Sequence, residues 1–435
     1  MQNNNIFLKY TRVLKKKVLK RFVEYLNASS LMRFFKEKIL VVSLTCCLVD
    51  FFLIFAKTLI MQNIPMVDLV GQYNKIKPEV DSAIQEILST AAFINGPYVK
   101  KFQEDLQQYL NVKHVIPCAN GTDALQVAMM ALNLEPGDEV ITTTFTFIAT
   151  AEVIALLRLK PVLVDIEKDS YNIDPEAIER AITPKTKAIV PVHIFGQCAN
   201  MEAILDIARH HNLYVVEDNA QAIGADYTFS DGTVKKSGTM GTIGCTSFFP
   251  SKNLGCFGDG GALFTNDDSL AEQIRVVVNH GMKVRYYHDY VGVNSRLDSI
   301  QAAVLDIKLK HLDNYIKARQ YAAAYYDKAF ASTDKIITPK KSDFTTHVYH
   351  QYVMVLNGVD RDALMKHLQS KGIACAIYYP VPLHEQKAYQ DPRYKKGDFP
   401  VSEYLCENVI ALPMHTEFTD EQLNYVTTTI LDFIG

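Results

Sequence analysis

The strongest constraint on the fold is a regular alternation of short apolar runs with amphipathic segments between residues 100 and 270. The apolar runs are 114–117, 139–145, 160–166, 187–194, 213–218 and 246–250. Helical periodicity fills several of the intervals, at 122–132, 150–157, 174–181 and 201–211. Strands that alternate with helices predict an α/β fold with a mainly parallel sheet covered on both faces. Ligands of such sheets bind at the carboxyl ends of the strands, so functional residues are expected just after the apolar runs.

The sequence after residue 315 has a different pattern. Long helical segments surround two apolar runs, 347–356 and 374–381, which predicts a smaller α+β domain over residues 316–435. Residues 61–315 then form a large domain. The helical stretch 67–88 is expected to pack with that domain or with a partner subunit.

The first sixty residues differ from the rest. Residues 1–38 are rich in lysine and arginine, and the apolar run 39–56 that follows contains Asp50. About eighteen residues is the minimum length that spans a bilayer, and a carboxylate inside a span is costly. Three interpretations stay open: an extension upstream of a start at Met61, a peripheral membrane contact, and a true span. The expected location of the protein is the cytoplasm, with membrane association through residues 1–57 as the alternative.

Charge and cysteine spacing exclude several classes of function. The formal net charge of −3 gives no overall basic field, so the sequence offers no electrostatic support for nucleic-acid binding. The eight cysteines are scattered and show no CxxC spacing. Neither a metal site nor a disulfide framework is therefore expected.

One candidate anion site follows the first apolar run. The segment CANGTDAL (118–125) runs from a predicted strand into a predicted helix. Gly121 and the Thr122 hydroxyl would lie at the helix N-terminus, where backbone N–H groups bind phosphate esters. An ordinary turn with a helix cap explains the same residues.

Two adjacent carboxylates end the predicted strand 213–218. A carboxylate in such a place is often only a cap for the next helix. If the ligand contains a pyridine ring, Asp218 could instead face the ring nitrogen and keep it protonated. Gln221, three residues later, is then expected on the same side and could bond to the ring's phenolic oxygen.

The segment TSFFPSKNLGCFGDGGALFTN (246–266) carries the most specific signal. Lys252 lies between an apolar run and a glycine-rich turn. A lysine held in this way can have a lowered pKa and become nucleophilic toward an aldehyde. Ser247 would offer its hydroxyl to a phosphate. The GxxxxGK[ST] order of a P-loop is absent, so hydrolysis of nucleoside triphosphates is excluded.

Together these segments resemble the DegT/DnrJ/EryC1/StrS family of sugar aminotransferases, from about Ile64 to the C-terminus. The resemblance implies the type I fold of pyridoxal-phosphate enzymes, the fold of aspartate aminotransferase, and pyridoxal 5'-phosphate as cofactor. It rests on ordered motifs: NGP (95–97), CANGTDAL, PGDEVI (136–141), VEDNAQ (216–221), SFFPSKNLG (247–255), GDGGA (258–262) and GVNSRLDSIQAA (292–303).

Within the family, the sequence is most similar to aminotransferases of UDP-2-acetamido-2-deoxy-3-oxo-glucuronate. These use glutamate as amino donor and make a 3-amino sugar acid for bacterial surface polysaccharides such as O-antigen. An aminotransferase for another UDP-, dTDP- or GDP-linked keto-sugar is the alternative. A third, weaker hypothesis is a protein that binds the cofactor without catalysis.

The resemblance also implies residue roles. Lys252 matches the lysine that attaches the cofactor, and Asp218 matches the partner of the ring nitrogen. Asn294 matches a residue that reaches the cofactor phosphate from a neighbouring subunit, which implies a homodimer with shared active sites. Arg296 matches a position near the acidic group of the sugar. The remaining matches to cofactor contacts are Gly121, Thr122, Gln221, Ser247 and, stacking on the ring, Phe147.

One motif departs from the family pattern. Relatives often have His-Tyr-Pro beside the substrate, whereas this chain has Tyr378, Tyr379 and Pro380. Tyr378 and Tyr379 are still expected at the substrate, but the departure bears on which sugar is bound.

Overall fold

The computed structural model describes residues 63–435, so the predictions for residues 1–60 lie outside the described part of the chain. Within residues 63–435, no helix is long and apolar enough to cross a membrane. The described chain begins with two helices, α1 (Leu69–Thr90) and α2 (Pro97–Leu110). Asp68 caps α1, because its side chain accepts a hydrogen bond from the Gly71 backbone N–H at 2.8 Å.

Strands and helices then alternate as the sequence predicts. The strands of the main sheet are β1 (His114–Cys118), β2 (Glu139–Thr143), β3 (Lys160–Val164), β4 (Thr186–Val190), β5 (Tyr214–Asp218), β8 (Ile243–Ser247) and β9 (Gly261–Thr265). A small hairpin of β6 (Asp226–Thr228) and β7 (Val234–Lys236) precedes β8. The helices between and after these strands are α3 (Gly121–Ala131), α4 (Ala149–Leu156), α5 (Pro175–Ala181), α6 (Met201–His211) and α7 (Asp268–Val277).

The main sheet has seven strands in the order β1-β9-β8-β5-β4-β2-β3. Strand β9 pairs antiparallel with both its neighbours, and the other pairs are parallel. The prediction of a mainly parallel sheet is therefore confirmed. The prediction of a strand over 246–250 is wrong in extent, because β8 ends at Ser247 and the chain then turns.

Adjacent strand residues pack on opposite faces of the sheet. In β2, Val140 belongs to one buried cluster and Ile141 to another, and in β1 Ile116 and Val115 divide in the same way. This is the two-residue period of a strand that is covered on both faces. Full burial of each such side chain contributes roughly 1.5–3 kcal/mol, so the sheet is a rigid platform for residues at its strand ends.

The C-terminal part is built around a smaller antiparallel sheet. After the hairpin β10 (Met282–Val284) and β11 (Tyr287–His288), the helices and strands are α8 (Ser299–Leu309), α9 (Leu312–Phe330), β12 (Ile336–Ile337), β13 (Tyr352–Leu356), α10 (Arg361–Ser370), α11 (Pro400–Asn408), β14 (Val409–Leu412) and α12 (Asp420–Ile434). The sheet order is β12-β13-β14. Of the two predicted apolar runs, 347–356 contains β13, whereas 374–381 contains no strand. Helix α9 spans the predicted domain boundary at residue 315.

Candidate active site

A cavity of about 410 Å³ opens where β1, β2, β5 and β8 end. The sequence predicted functional residues at this edge of the sheet. Nine of the predicted site residues line the cavity: Gly121, Thr122, Phe147, Asp218, Gln221, Ser247, Lys252, Tyr378 and Tyr379. The sequence motifs, which are separated by up to about 260 residues, therefore converge on one site.

Lys252 lies in a tight turn just after β8. Its backbone N–H donates a hydrogen bond to the carbonyl oxygen of Phe249 at 2.8 Å. The turn requires glycine at position 255, because a Cβ there would lie 2.4 Å from the carbonyl oxygen of Pro250. Desolvation of the amine lowers the pKa of Lys252 to about 8, although the negative charge of Asp218 acts in the opposite direction. Near neutral pH this lysine is much closer to its nucleophilic form than an exposed lysine.

Asp218 is the last residue of β5 and is buried. One carboxylate oxygen, Oδ2, accepts a hydrogen bond from the Thr150 hydroxyl at 2.7 Å, and Oδ1 accepts one from the Ala220 N–H at 3.2 Å. The Asp218 backbone is held as well, because its N–H donates to the Pro191 carbonyl at 2.9 Å. The carboxylate is thus fixed in one orientation at the cavity wall, where it fits a protonated ring nitrogen.

Glu217, the other carboxylate at this strand end, has a structural role. It is fully buried and accepts hydrogen bonds from the backbone N–H groups of Gly238, Met240 and Gly241. It also accepts one from His193 Nε2 at 2.8 Å. These donors occupy the carboxylate, so of the two adjacent acids only Asp218 is available to a ligand.

The segment 118–125, predicted to bind a phosphate, runs from β1 into a helix as expected. Helix α3 begins at Gly121, and the Asn120 side chain caps it by accepting a hydrogen bond from the Asp123 N–H at 2.8 Å. A Cβ on Gly121 would lie 2.7 Å from the Cβ of Ser247, so the helix start and the end of β8 meet closely. The helix N-terminus, Thr122 and Ser247 all line the cavity and form a polar cradle that would fit a phosphate ester.

Gln221 lies in a turn after β5. Its Oε1 accepts a hydrogen bond from the Phe195 N–H at 2.6 Å, and its Nε2 donates to the Tyr379 hydroxyl at 3.0 Å. Gln221 therefore fixes Tyr379 at the cavity wall. The hydrogen bond from Gln221 to the phenolic oxygen of the cofactor ring stays a prediction.

Phe147 also lines the cavity and is 56% exposed, which leaves a ring face free to stack.

Asn294 and Arg296 do not line the cavity formed by residues 63–435 of this chain. Asn294 is exposed and Arg296 is partly exposed. The intervening Ser295 is buried, and its Oγ accepts a hydrogen bond from the Ala119 N–H at 3.0 Å. The segment therefore runs behind the start of α3 with Asn294 on the surface.

Thr150 and His350 are two of the residues at the site that sequence reasoning missed. Thr150 bonds to Asp218 across 68 positions of sequence, and no local motif signals that contact. His350 also lines the cavity. It occurs in an apolar run, HVYHQYVMVL, that sequence reasoning used only as evidence for a strand.

A lysine of lowered pKa, a fixed carboxylate and a helix N-terminus with nearby hydroxyls, all at one edge of the sheet, fit pyridoxal phosphate as a cofactor. The fold agrees: the structure of NtdA from Bacillus subtilis with bound cofactor PMP aligns with a TM-score of 0.78 and 31% identity, over 86% of this chain and 85% of that one. The model of the DegT/DnrJ/EryC1/StrS aminotransferase family matches residues 74–431. The chain belongs to this family, and its cofactor is pyridoxal phosphate.

Two curated relatives illustrate the range of the family. The chain is 48% identical over 373 residues to a "pleiotropic regulatory protein" of Geobacillus stearothermophilus, covering 85% of this chain and 98% of that protein. It is 46% identical over 352 residues to the UDP-2-acetamido-2-deoxy-3-oxo-D-glucuronate aminotransferase of Pseudomonas aeruginosa, covering 81% and 95%. Both alignments extend over nearly the whole of the relative.

Proposed function

We propose that the protein transfers the amino group of glutamate to the 3-keto group of UDP-2-acetamido-2-deoxy-3-oxo-glucuronate, for synthesis of a surface polysaccharide. The observation that carries the chemistry is Lys252, whose amine has a pKa lowered to about 8 beside the fixed carboxylate of Asp218. The similarity to the Pseudomonas aeruginosa enzyme supports the choice of sugar. The product would be the 3-amino sugar nucleotide.

Each of these cavity residues has a separate role in the proposed reaction. Bound pyridoxal phosphate supplies an electron-withdrawing ring that stabilises negative charge on the carbon that loses a proton. Asp218 keeps the ring nitrogen protonated, and the phosphate cradle at Gly121, Thr122 and Ser247 anchors the opposite end. Lys252 removes the proton from the α-carbon of glutamate as a general base, and in the second half-reaction it returns a proton to the sugar carbon.

A homodimer completes the proposed site. Four apolar side chains on or beside the β10–β11 hairpin are well exposed: Val284 at 62%, Tyr286 at 75%, Tyr287 at 70% and Val291 at 86%. Such a cluster supports the proposal that this surface is an interface. It immediately precedes Asn294 in the chain, so a second copy bound there would bring Asn294 to the neighbouring cofactor phosphate and Arg296 to the sugar carboxylate.

One observation favours a second candidate, an aminotransferase for a different nucleotide-linked keto-sugar. Tyr378 lines the cavity where relatives often have histidine. A phenol and an imidazole place their polar atoms at different distances from the backbone, so the pocket for the sugar would differ in shape.

The test is a comparison of substrates with glutamate as donor. UDP-, dTDP- and GDP-linked 3- and 4-keto-sugars are incubated with the enzyme, and the amino sugar is detected by mass spectrometry. The matched control is UDP-2-acetamido-2-deoxy-3-oxo-glucose, which has a hydroxymethyl group in place of the carboxylate and is otherwise the same. We expect the uronate to react at least tenfold more efficiently, because a hydrogen bond to a charged group contributes about 1.5–3 kcal/mol. Preference for a dTDP- or GDP-linked sugar would favour the second candidate.

A further inference from the structure

His350 is a cavity residue that the chemistry described above does not use. It is only 6% exposed and lines the cavity together with Lys252. Its Nδ1 atom is sealed from solvent and has no hydrogen-bond partner among the described residues. Its Nε2 is not among the sealed atoms, and no described residue bonds to it either. Nε2 is therefore the nitrogen of His350 that a ligand in the cavity can reach, and a hydrogen bond with a ligand would give this buried ring a polar partner.

The backbone around His350 is held firmly. The guanidinium of buried Arg319 donates through Nη1 to the carbonyl oxygens of Tyr349 and His350, both at 3.1 Å. Asn253, the residue after Lys252, donates through Nδ2 to the Val348 carbonyl at 2.8 Å. The turn that carries the reactive lysine and the segment that carries the imidazole are thus bonded to each other.

The environment also fixes the protonation of His350. Burial, the nearby ammonium of Lys252 and the guanidinium of Arg319 hold the pKa of the imidazole well below its usual value, in that order of importance. The ring is therefore neutral and carries one proton. With that proton on Nε2, the sealed Nδ1 is a bare acceptor and the N–H points to the side that is not sealed.

We propose that His350 is a substrate-binding residue whose Nε2–H donates a hydrogen bond to an oxygen atom next to the carbon that gives or receives the amino group. In glutamate this atom is a carboxylate oxygen, and in the keto-sugar it is a neighbouring hydroxyl. A neutral donor can serve both substrates, which occupy the same cavity in turn. The inference rests on the proposed function for the identity of these two substrates.

The test compares His350→Gln with His350→Leu. The Nε2 of glutamine lies close to the position of the histidine Nε2 and keeps a neutral donor, whereas leucine removes it. The matched control is His415→Leu. His415 is buried as well, at 2% exposed, and its Nε2 is unpaired, but it does not line the cavity. Thermal unfolding of all three variants checks the fold.

Two quantities are measured on the purified, cofactor-loaded protein in its own oligomeric state. One is the Kd of glutarate, which has both carboxylates of glutamate but no amino group, by calorimetry. The other is the rate of each half-reaction, followed by cofactor absorbance. We expect His350→Leu to weaken glutarate binding and slow both half-reactions roughly tenfold or more, the effect of losing one hydrogen bond to a charged or polar group. His350→Gln should stay within a few-fold of wild type.

Several results would overturn the proposal. Equal Kd and rates for His350→Leu and wild type would show that the imidazole contacts no substrate. Equal losses in the glutamine and leucine variants, or a similar loss in His415→Leu, would make the role structural. If glutamate does not convert the cofactor of the wild-type enzyme, the proposed amino donor is wrong. The keto-sugar half-reaction, started from enzyme loaded with the amine form of the cofactor, then decides the role of His350.

Discussion

Replacement of Asp218 by asparagine tests the electrostatic core of the site. Asparagine has nearly the same shape, and its Oδ1 can still accept the hydrogen bond that the Ala220 N–H now donates to Asp218 at 3.2 Å. The Thr150 hydroxyl, which now donates at 2.7 Å, can rotate and accept from the new amide. The substitution therefore removes a negative charge and leaves the local packing in place.

The size of the effect follows from the charge that is lost. Two opposite unit charges about 4 Å apart interact by roughly 4 kcal/mol at the effective dielectric constant of a partly buried site. If the variant lacks most of this interaction in the transition state for removal of the proton from carbon, kcat falls by roughly a thousandfold. Cofactor binding should weaken much less, because the phosphate cradle and Lys252 are unchanged.

The assay is the rate of cofactor conversion by glutamate in a single turnover, measured by absorbance. Thr150→Val is the control, since it removes one hydrogen bond to Asp218 and keeps the charge. We expect it to cost about 1 kcal/mol, which is less than a tenfold change in rate. A rate for Asp218→Asn within tenfold of wild type, with cofactor bound, would refute the electrostatic role and leave Asp218 as a residue that only holds the turn after β5 through Ala220.

Four further predictions follow from the same geometry. Lys252→Ala should abolish turnover and leave the unfolding temperature of the holoenzyme within a few degrees of wild type; transamination by this variant would rule out the lysine as base. Because burial lowers the pKa of Lys252 from 10.5 to about 8, the unfolded chain binds the extra proton between these values, and the stability of the cofactor-free protein should rise with pH there. Measured by urea unfolding, the free energy of unfolding of the wild type should rise by up to about 3 kcal/mol more over this pH range than that of Lys252→Met. Equal pH dependence in the two proteins would show that the amine is solvated. Gly121→Ala should weaken cofactor binding and lower stability by about 1–3 kcal/mol, because its Cβ would lie 2.7 Å from Ser247; unchanged affinity would place the phosphate elsewhere. Arg296→Ala should raise KM for the acidic sugar more than for glutamate, and equal effects would indicate a shared or structural role.

The parallel strands were predictable because they are buried on both faces and therefore appear as continuous apolar runs. Strand β9 was not, since it begins at Gly261, inside the glycine-rich motif GDGGA, and its start looks like part of a turn. The run 246–250 was read as one strand, but Phe248 packs in the core whereas Phe249 is 52% exposed after the chain has turned.

The site residues likewise fall into those that local sequence predicts and those that it does not. Gly121, Asp218 and Lys252 lie at or shortly after the ends of strands, so local sequence marks them. Thr150 and His350 have no such local signal, because their roles depend on contacts with residues that are distant in the chain. Hydrogen bonds across 68 positions, such as the one between Thr150 and Asp218, become visible only when the strands are placed side by side.

The most direct test of the account is to find which lysine carries the cofactor and whether glutamate releases it. The holoenzyme is reduced with borohydride before and after addition of glutamate, and the labelled peptide is identified by mass spectrometry. The account predicts a label on Lys252 that glutamate abolishes as the amine form of the cofactor is produced. Lys308 is the informative rival, because it is also buried with a pKa lowered to about 8, but its Nζ donates to the Gly255 carbonyl at 2.8 Å and does not line the cavity. A label on Lys308, or a label on Lys252 that persists with glutamate, would contradict the account.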